Sequence, residues 1–275
     1  MSVETEHKLY QKRKEQWALI RDCLEGEDVI KSKGPKYLPM AICRTKQETE
    51  MRYAAYKARA RFVNYTEITR DILHGLVFRK KVVSEIPEEL KIFFNDIDRQ
   101  GTSFQEFASD AFRDLLVTSF GGILVDLPVT SGELSAKQAE EENVRPYVTY
   151  YSAESIINWK YGVVQGRKQL TQVVLKEIIE QPVDDFAVTE VEKYRVLELI
   201  EGVYRQRVFT RGELSQEWNI EEIKVTDKKG KTFDFIPFVT LGSKEPQKPM
   251  LLDLAKLNIG NYQKISHLKH PLLPY

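Results

Sequence analysis

RPYVTYYSAESIINW, residues 145–159, marks the point where the periodicity of this chain changes. Upstream, apolar residues recur every three or four positions, the spacing of one helix face. Downstream, runs rich in Val, Ile, Tyr and Phe lie between turn residues, which is the pattern of strands. Pro146 cannot sit inside a helix, so Tyr147 to Tyr151 opens the second half as a strand. The fold class that follows is α+β: N-terminal helices, an antiparallel or mixed β region, and a C-terminal helix.

Tyr147–Tyr151 together with Leu170–Ile179, Tyr194–Phe209, Ile220–Val225 and Thr232–Leu241, with a turn at Asp227–Gly230, predict an antiparallel meander. Pro249 then introduces a helix from Leu251 to about Leu268, with Leu252, Ala255, Ile259 and Tyr262 on one face. Leu254 and Leu257 flank that face, so its apolar stripe is wide enough to meet more than one neighbour. Pro271 and Pro274 forbid its continuation.

Before the stretch, Ser131–Asn143 reads as a polar, acidic excursion and Ile123–Leu127 as a buried strand. Thr102 with Gln105 opens a helix burying Phe104, Phe107, Ala108, Ala111 and Leu115, ended by Gly121-Gly122. Pro87 starts a short helix through Ile97. Thr45 and Glu48 form a capping box. From there Met51, Ala55, Ala58, Phe62, Tyr65, Thr69, Ile72 and Leu76 predict one long helix closed near Gly75. Glu4–Leu24 is a charged segment with Trp17, Ile20 and Cys23 near its end, a docking helix. Glu25–Pro39, with Gly26, Gly34, Pro35 and Pro39, reads as a hinge. The expected organisation is an arm and hinge over 1–44, an α+β domain over 45–242, and a loop and helix over 243–275.

Composition narrows the function. Lys+Arg and Asp+Glu both number 41, so no global field draws in a polyanion, against the basic excess of a dedicated nucleic-acid binder. The two cysteines, Cys23 and Cys43, make no disulfide framework and no metal spacing. Met1–Trp17 is charged and lacks a secretory h-region, and no run of apolar residues is long enough for a membrane span. A cytoplasmic origin is expected.

Local motifs are weak. Asp96-x-Asp98-x-Gln100-Gly101, followed by Glu106, approaches a calcium-binding EF-hand loop, but one residue too few separates Gly101 from Glu106. The competing reading is a helix end, a Gly turn and a fresh N-cap at Thr102. His267 and His270 share a helical spacing but lack the further ligands that zinc needs. GVVQGRKQL, residues 162–170, lacks the Gly-Lys-Ser/Thr ending of a phosphate loop. Arg79, Lys80 and Lys81 form a basic run best read as solvated. No cofactor, metal or catalytic residue is expected, and the chain is not read as an enzyme.

Six stretches, in order, resemble those of a subgroup of tailed-bacteriophage portal proteins: YLPM (37–40), RARFVNYTEITRDILHGLVFRK (59–80), GGILVDLP (121–128), RPYVTYYSAESIINW (145–159), IPFVTLG (236–242) and LLDLAKLNIGNYQ (251–263). The resemblance runs from about Tyr37 to Tyr275. It implies a structural protein of the virion, made in the bacterial host cytoplasm, that assembles as a ring, typically a dodecamer, at one capsid vertex. Its partners would be further copies of itself, the terminase motor, capsid and head–tail adaptor proteins, and double-stranded DNA passing through weakly.

By the same resemblance, residues 45–241 would be wing and Leu251–Leu268 the first stem helix. Leu252, Ala255, Ile259 and Tyr262 would pack against neighbouring subunits, and Lys256, Lys264 and Lys269 would face the DNA channel. The family pattern continues past Tyr275 into a clip, a second stem helix and a crown. A chain shortened before the clip is therefore expected, and a prophage remnant without portal activity is one alternative. A calcium-responsive module using Asp96, Asp98 and Glu106, or a hydrolase or nuclease with carboxylates assembled in space, are the others.

Overall fold

The computed structural model describes residues 2–40, 43–81, 83, 85–128, 144–184, 186–211, 217–223, 225–226 and 232–268. The fold is α+β, with helices in the first half, antiparallel sheets in the second and a helix at the C-terminal end. The chain divides into two compact units. One comprises Met1–Arg13, Val82–Leu115 and Ser119–Gln247; the other comprises Lys14–Lys81, Leu116–Thr118 and Lys248–Tyr275. The Ser131–Asn143 excursion, the Asp227–Gly230 turn, Lys269, His270, Pro271 and Pro274 lie outside the described residues. Among those described, no helix is long and apolar enough to cross a membrane.

The helical unit is built on α1 (Lys8–Glu25), α2 (Glu27–Ser32), α3 (Lys46–Arg59) and α4 (Tyr65–Phe78). Its last helix is Leu252–Leu268. The single long helix expected from Met51 to Leu76 is two helices. Ala60 takes an extended ψ of 140° and ends α3, and Asn64 caps α4 by accepting from the Glu67 amide at 3.1 Å. Between them the Glu27 carboxylate accepts from the Phe62 amide at 3.0 Å. A seam spaced in threes and fours cannot reveal this break, because Ala60 and Asn64 are both tolerable inside a helix.

The hinge expected over Glu25–Pro39 is part of the core. Ile30 and Leu38 are buried, and positive φ at Gly26 and Gly34 folds the chain tightly enough to put them there. Buried Asp22 gathers Lys33, Lys36 and the Tyr37 hydroxyl around its carboxylate. Trp17, wholly buried, donates from its indole to the Thr118 carbonyl at 3.1 Å.

The sheet unit contains α5 (Lys91–Asn95) and most of α6 (Phe104–Thr118). Its strands are β1 (Gly121–Asp126), β2 (Tyr147–Ser152), β3 (Ile156–Val164), β4 (Arg167–Pro182), β5 (Val188–Ile200), β6 (Val203–Arg211), β7 (Trp218–Ile223) and β8 (Phe238–Leu241). β3 to β7 pair consecutively as an antiparallel meander, and a second sheet has the order β2-β1-β8. Thus the first and last β-rich runs leave the expected meander: Tyr147–Tyr151 becomes β2 and pairs with β1, as does the last run, of which only Phe238–Leu241 is strand. Tyr194–Phe209 is a hairpin turned at Glu201-Gly202, both at positive φ.

Helix α6 begins one residue later than expected. Ser103 is its N-cap, in a reciprocal box with Glu106. It ends at Ser119 in the left-handed region, two residues before Gly121-Gly122. Those glycines open β1 because their neighbours come close: a Cβ on Gly122 would lie 2.1 Å from the Phe238 ring. The residues ahead of α1 are pinned to β3. The His7 amide donates to the Ile157 carbonyl at 2.8 Å, and its imidazole stacks on Trp159 at 4.0 Å.

Candidate functional site

The residues picked out on the C-terminal helix, Leu252–Leu268 and hereafter α7, separate onto opposite sides. Lys256 and Lys264 are eight positions apart, so they share a face, and both are exposed beside Leu257 and Asn261. Lys269 lies outside the described residues, as do the side chains of His267 and Leu268. Leu252, Ala255, Ile259 and Tyr262 are not available to neighbouring subunits. Leu252 and Tyr262 are each 1% exposed, and all four belong to the helical unit's own core, where Tyr262 meets Phe62 edge-on at 5.9 Å. This corrects the expected packing role: the four side chains are closed into the helical unit's own core.

Polar Asn258 sits on the same buried side. Its Oδ1 accepts from the Thr66 amide at 3.1 Å and the Thr66 hydroxyl at 3.2 Å, and its Nδ2 donates to the Val63 carbonyl at 2.6 Å. It therefore satisfies one of the orphan first-turn donors of α4.

The acid loop at Asp96–Glu106 holds its carboxylates apart. Asp96 accepts from the Gly101 amide at 3.0 Å and from Arg145 at 2.6 Å. Asp98 accepts from the Gln100 and Thr102 amides at 2.8 and 3.2 Å. Glu106 accepts from the Ser103 amide at 2.9 Å and its hydroxyl at 2.7 Å. The Asp98 and Glu106 carboxyls lie below their usual range. For Asp98 the slight burial that would raise it is outweighed by the Thr102 and Gln100 bonds; for Glu106 the Ser103 bonds are the largest cause. These are the contacts of a turn and a helix cap. Among the described residues no group of three His, Cys, Asp or Glu is placed to hold a metal.

The most charged buried cluster was not legible in advance. It joins the two sheets of the sheet unit. Arg195 on β5 donates to Glu177 on β4 at 2.7 Å, to Asp126 on β1 at 3.0 Å and to Gln206 on β6 at 3.1 Å. Gln206 donates to Asp126 at 3.0 Å, Tyr151 to Glu177 at 2.6 Å, and Lys193 pairs with Glu177 at 3.0 Å. Burial pushes the Glu177 carboxyl up, but the Arg195 charge and hydrogen bond, then Tyr151 and Lys193, bring it below its usual value. Burial raises the Tyr151 hydroxyl, and the Glu177 charge adds to it. An ionised acid held by this many donors has no proton to give near neutral pH, so the cluster is an electrostatic strut between sheets. Its sequence signal was Glu177 and Arg195 inside otherwise apolar strand runs.

Two open clefts of about 390 Å³ flank the β3–β4 hairpin. Tyr161, Lys168, Lys244 and Glu245 line one; Arg167, Gln169 and Asp234 line the other. The GVVQGRKQL stretch is this hairpin, turned at Gln165-Gly166 with both φ positive.

Two apolar surfaces stand out instead. On α4, Tyr65, Ile68, Ile72 and Leu76 lie on one face at three- and four-residue spacing, and Ile68, Ile72 and Leu76 are 53%, 58% and 60% exposed. In the sheet unit, β4 and β5 pair out to Pro182 and Val188, whereas β3 reaches only Leu175 and β6 only Lys193. The remainder is a two-stranded ribbon carrying exposed Ile178, Val183, Val188 and a wholly exposed Phe186. No family model and no curated protein matches the chain.

Proposed function

We propose that this chain is a portal-type structural protein of a tailed phage or prophage, not an enzyme. In this reading it forms a ring at one capsid vertex, where DNA is packaged and head and tail are joined. The observation that carries the reading is the ordered resemblance of the six stretches quoted above. Supporting it, those stretches fall on successive pieces of one α+β fold. YLPM closes the helical turn after α2, the 59–80 stretch covers the α3–α4 junction and α4, and GGILVDLP is β1 with its exit. RPYVTYYSAESIINW is β2 and the start of β3, IPFVTLG is β8, and LLDLAKLNIGNYQ is α7.

DNA would pass along such a ring without tight binding. A protein that neutralises many phosphates binds with steep salt dependence, and a chain with 41 cations against 41 anions is poorly suited to that. The exposed face of α7, with Lys256 and Lys264, supplies a few sliding contacts. The terminase motor, capsid and head–tail adaptor proteins are the partners this role requires, and the virion is its location.

The test is to purify tailed particles from the source culture and search them for this chain by mass spectrometry. The expected result is the chain in the heads at a small fixed copy number, encoded between a large-terminase gene and capsid genes. A chain absent from particles and encoded among unrelated genes overturns the reading. Within such particles, replacing Lys256 and Lys264 with Ala is expected to slow packaging; unchanged packaging removes the channel assignment alone.

A further inference from the structure

An exposed apolar stripe and an exposed ribbon face of this chain are similar in length and oppose each other in charge. The first is the α4 stripe from Tyr65 to Leu76, about 17 Å long at the helical rise. Arg79, exposed, continues the same face, and Lys80 and Lys81 follow it, also exposed. The second is one face of the β4–β5 ribbon. The register pairs Ile178 with Glu192, Glu180 with Glu190, and Pro182 with Val188, so these six side chains share a side. From Ile178 to Pro182 this face is about 14 Å long at the strand rise. Glu192 is engaged by Lys176, but Glu180 and Glu190 stand directly opposite each other.

That arrangement is unfavourable in an isolated chain. Like charges directly across a strand pair repel, and a two-stranded ribbon with two unpaired edges is marginally stable in water. Among the described residues no cation pairs with Glu180 or Glu190, and no anion pairs with Arg79, Lys80 or Lys81. The apolar face of α4 is likewise turned to water, although its spacing is that of a packed helix.

We infer that the β4–β5 ribbon of one copy docks along the α4 stripe of a second copy. Pro182 and Val188 cover Ile72 and Leu76, and Glu180 and Glu190, one pair further along the ribbon, reach the Arg79–Lys81 run. The occupant is this chain itself because the two surfaces supply each other's missing charge. The contact is heterologous: each copy offers a ribbon and receives one, so association propagates head to tail and closes into a ring when the rotation allows. The inference deepens the ring reading and rests on it only for closure.

The test uses the full chain and two charge reversals, Glu180→Lys with Glu190→Lys, and Arg79→Glu with Lys80→Glu and Lys81→Glu. Light scattering against concentration is expected to show the parent chain associating, more strongly at low salt. Each reversal alone is expected to weaken association by about tenfold or more, since it sets like charges face to face. Mixing the two is expected to restore association with alternating copies, which a variant that had merely misfolded could not do. Circular dichroism of each variant checks the fold.

A parent chain that stays monomeric overturns the inference and assigns both surfaces to a different protein. So do oligomers that ignore both reversals; if those oligomers are closed rings, the ring reading survives and only this contact fails. Open filaments that respond to the reversals keep the contact and count against the ring.

Discussion

Helices α4 and α7 are built to the same plan and used in opposite ways. Each is a short amphipathic helix whose apolar residues recur at three and four positions, and each lies in the helical unit. In α7 the stripe Leu252, Ala255, Ile259, Tyr262 is core; in α4 the stripe Tyr65, Ile68, Ile72, Leu76 faces water. The two helices meet through Asn258 and Thr66, so α4 docks by its polar first turn and leaves its more apolar side out. Periodicity reports that a helix has an apolar face. It does not report which face the rest of the chain will cover.

Matched truncations break this comparison most directly. Leu252→Ala is expected to cost about 2–5 kcal/mol of stability, because it removes a closed-in side chain and leaves a cavity. Leu76→Ala is expected to stay within about 0.5 kcal/mol, as for a surface change. Denaturant unfolding of both variants measures the difference, and equal costs would mean that α4 is covered in the isolated chain.

Asn258→Ala comes next, at about 1–3 kcal/mol, since it strands the buried Thr66 amide and hydroxyl without their acceptor. Hydrogen exchange should show the first turn of α4 opening faster while α7 keeps its protection. Equal loosening of the two helices would show that this joint is not what seats α4.

The smallest effect is one of pH. Burial would raise the Glu27 carboxyl, but the Lys31 bond, the Phe62 amide bond and the charges of Lys31 and Arg61 bring it below the usual 4.5. Because the folded value is depressed, its contribution is present above that pH and is lost as pH falls through the folded value. Melting of the parent chain should therefore fall faster between about pH 5 and about pH 3 than melting of Glu27→Gln, by less than about 1 kcal/mol. Identical pH profiles would remove Glu27 from the account of how the α3–α4 junction is held.

The elements that the sequence made legible are those whose signal is local. The strands β2, β4 and β7, the α7 span and its apolar stripe, and the N-cap at Thr45, which accepts from the Glu48 amide, follow from spacing and side-chain type; β3 and the turn that splits Tyr194–Phe209 into two strands do not. What was not legible depends on partners far away in the chain. The break at Ala60 needs Glu27 and Asn64, the burial of Ile30 and Leu38 needs α7, and the Arg195 strut needs four strands in register. The carboxylates of the Asp96 loop have the right identities for a cation, but backbone amides claim them, as in the competing reading of a helix end, a turn and a fresh cap; only the cap is shifted, from Thr102 to Ser103.

The Asn258–Thr66 contact also sets an order in time. Its two residues are 192 positions apart, and the core they border cannot close until α7 exists. Chains emerge N-terminus first, so α1 to α4 wait at the ribosome with their apolar sides unmet while the entire sheet unit is made. Short loops in the meander close quickly, and this long one closes slowly. The helical unit is therefore the last to fold although it holds the first helices to be synthesised, and a nascent chain stalled before Leu252 would present its unfinished side to chaperones.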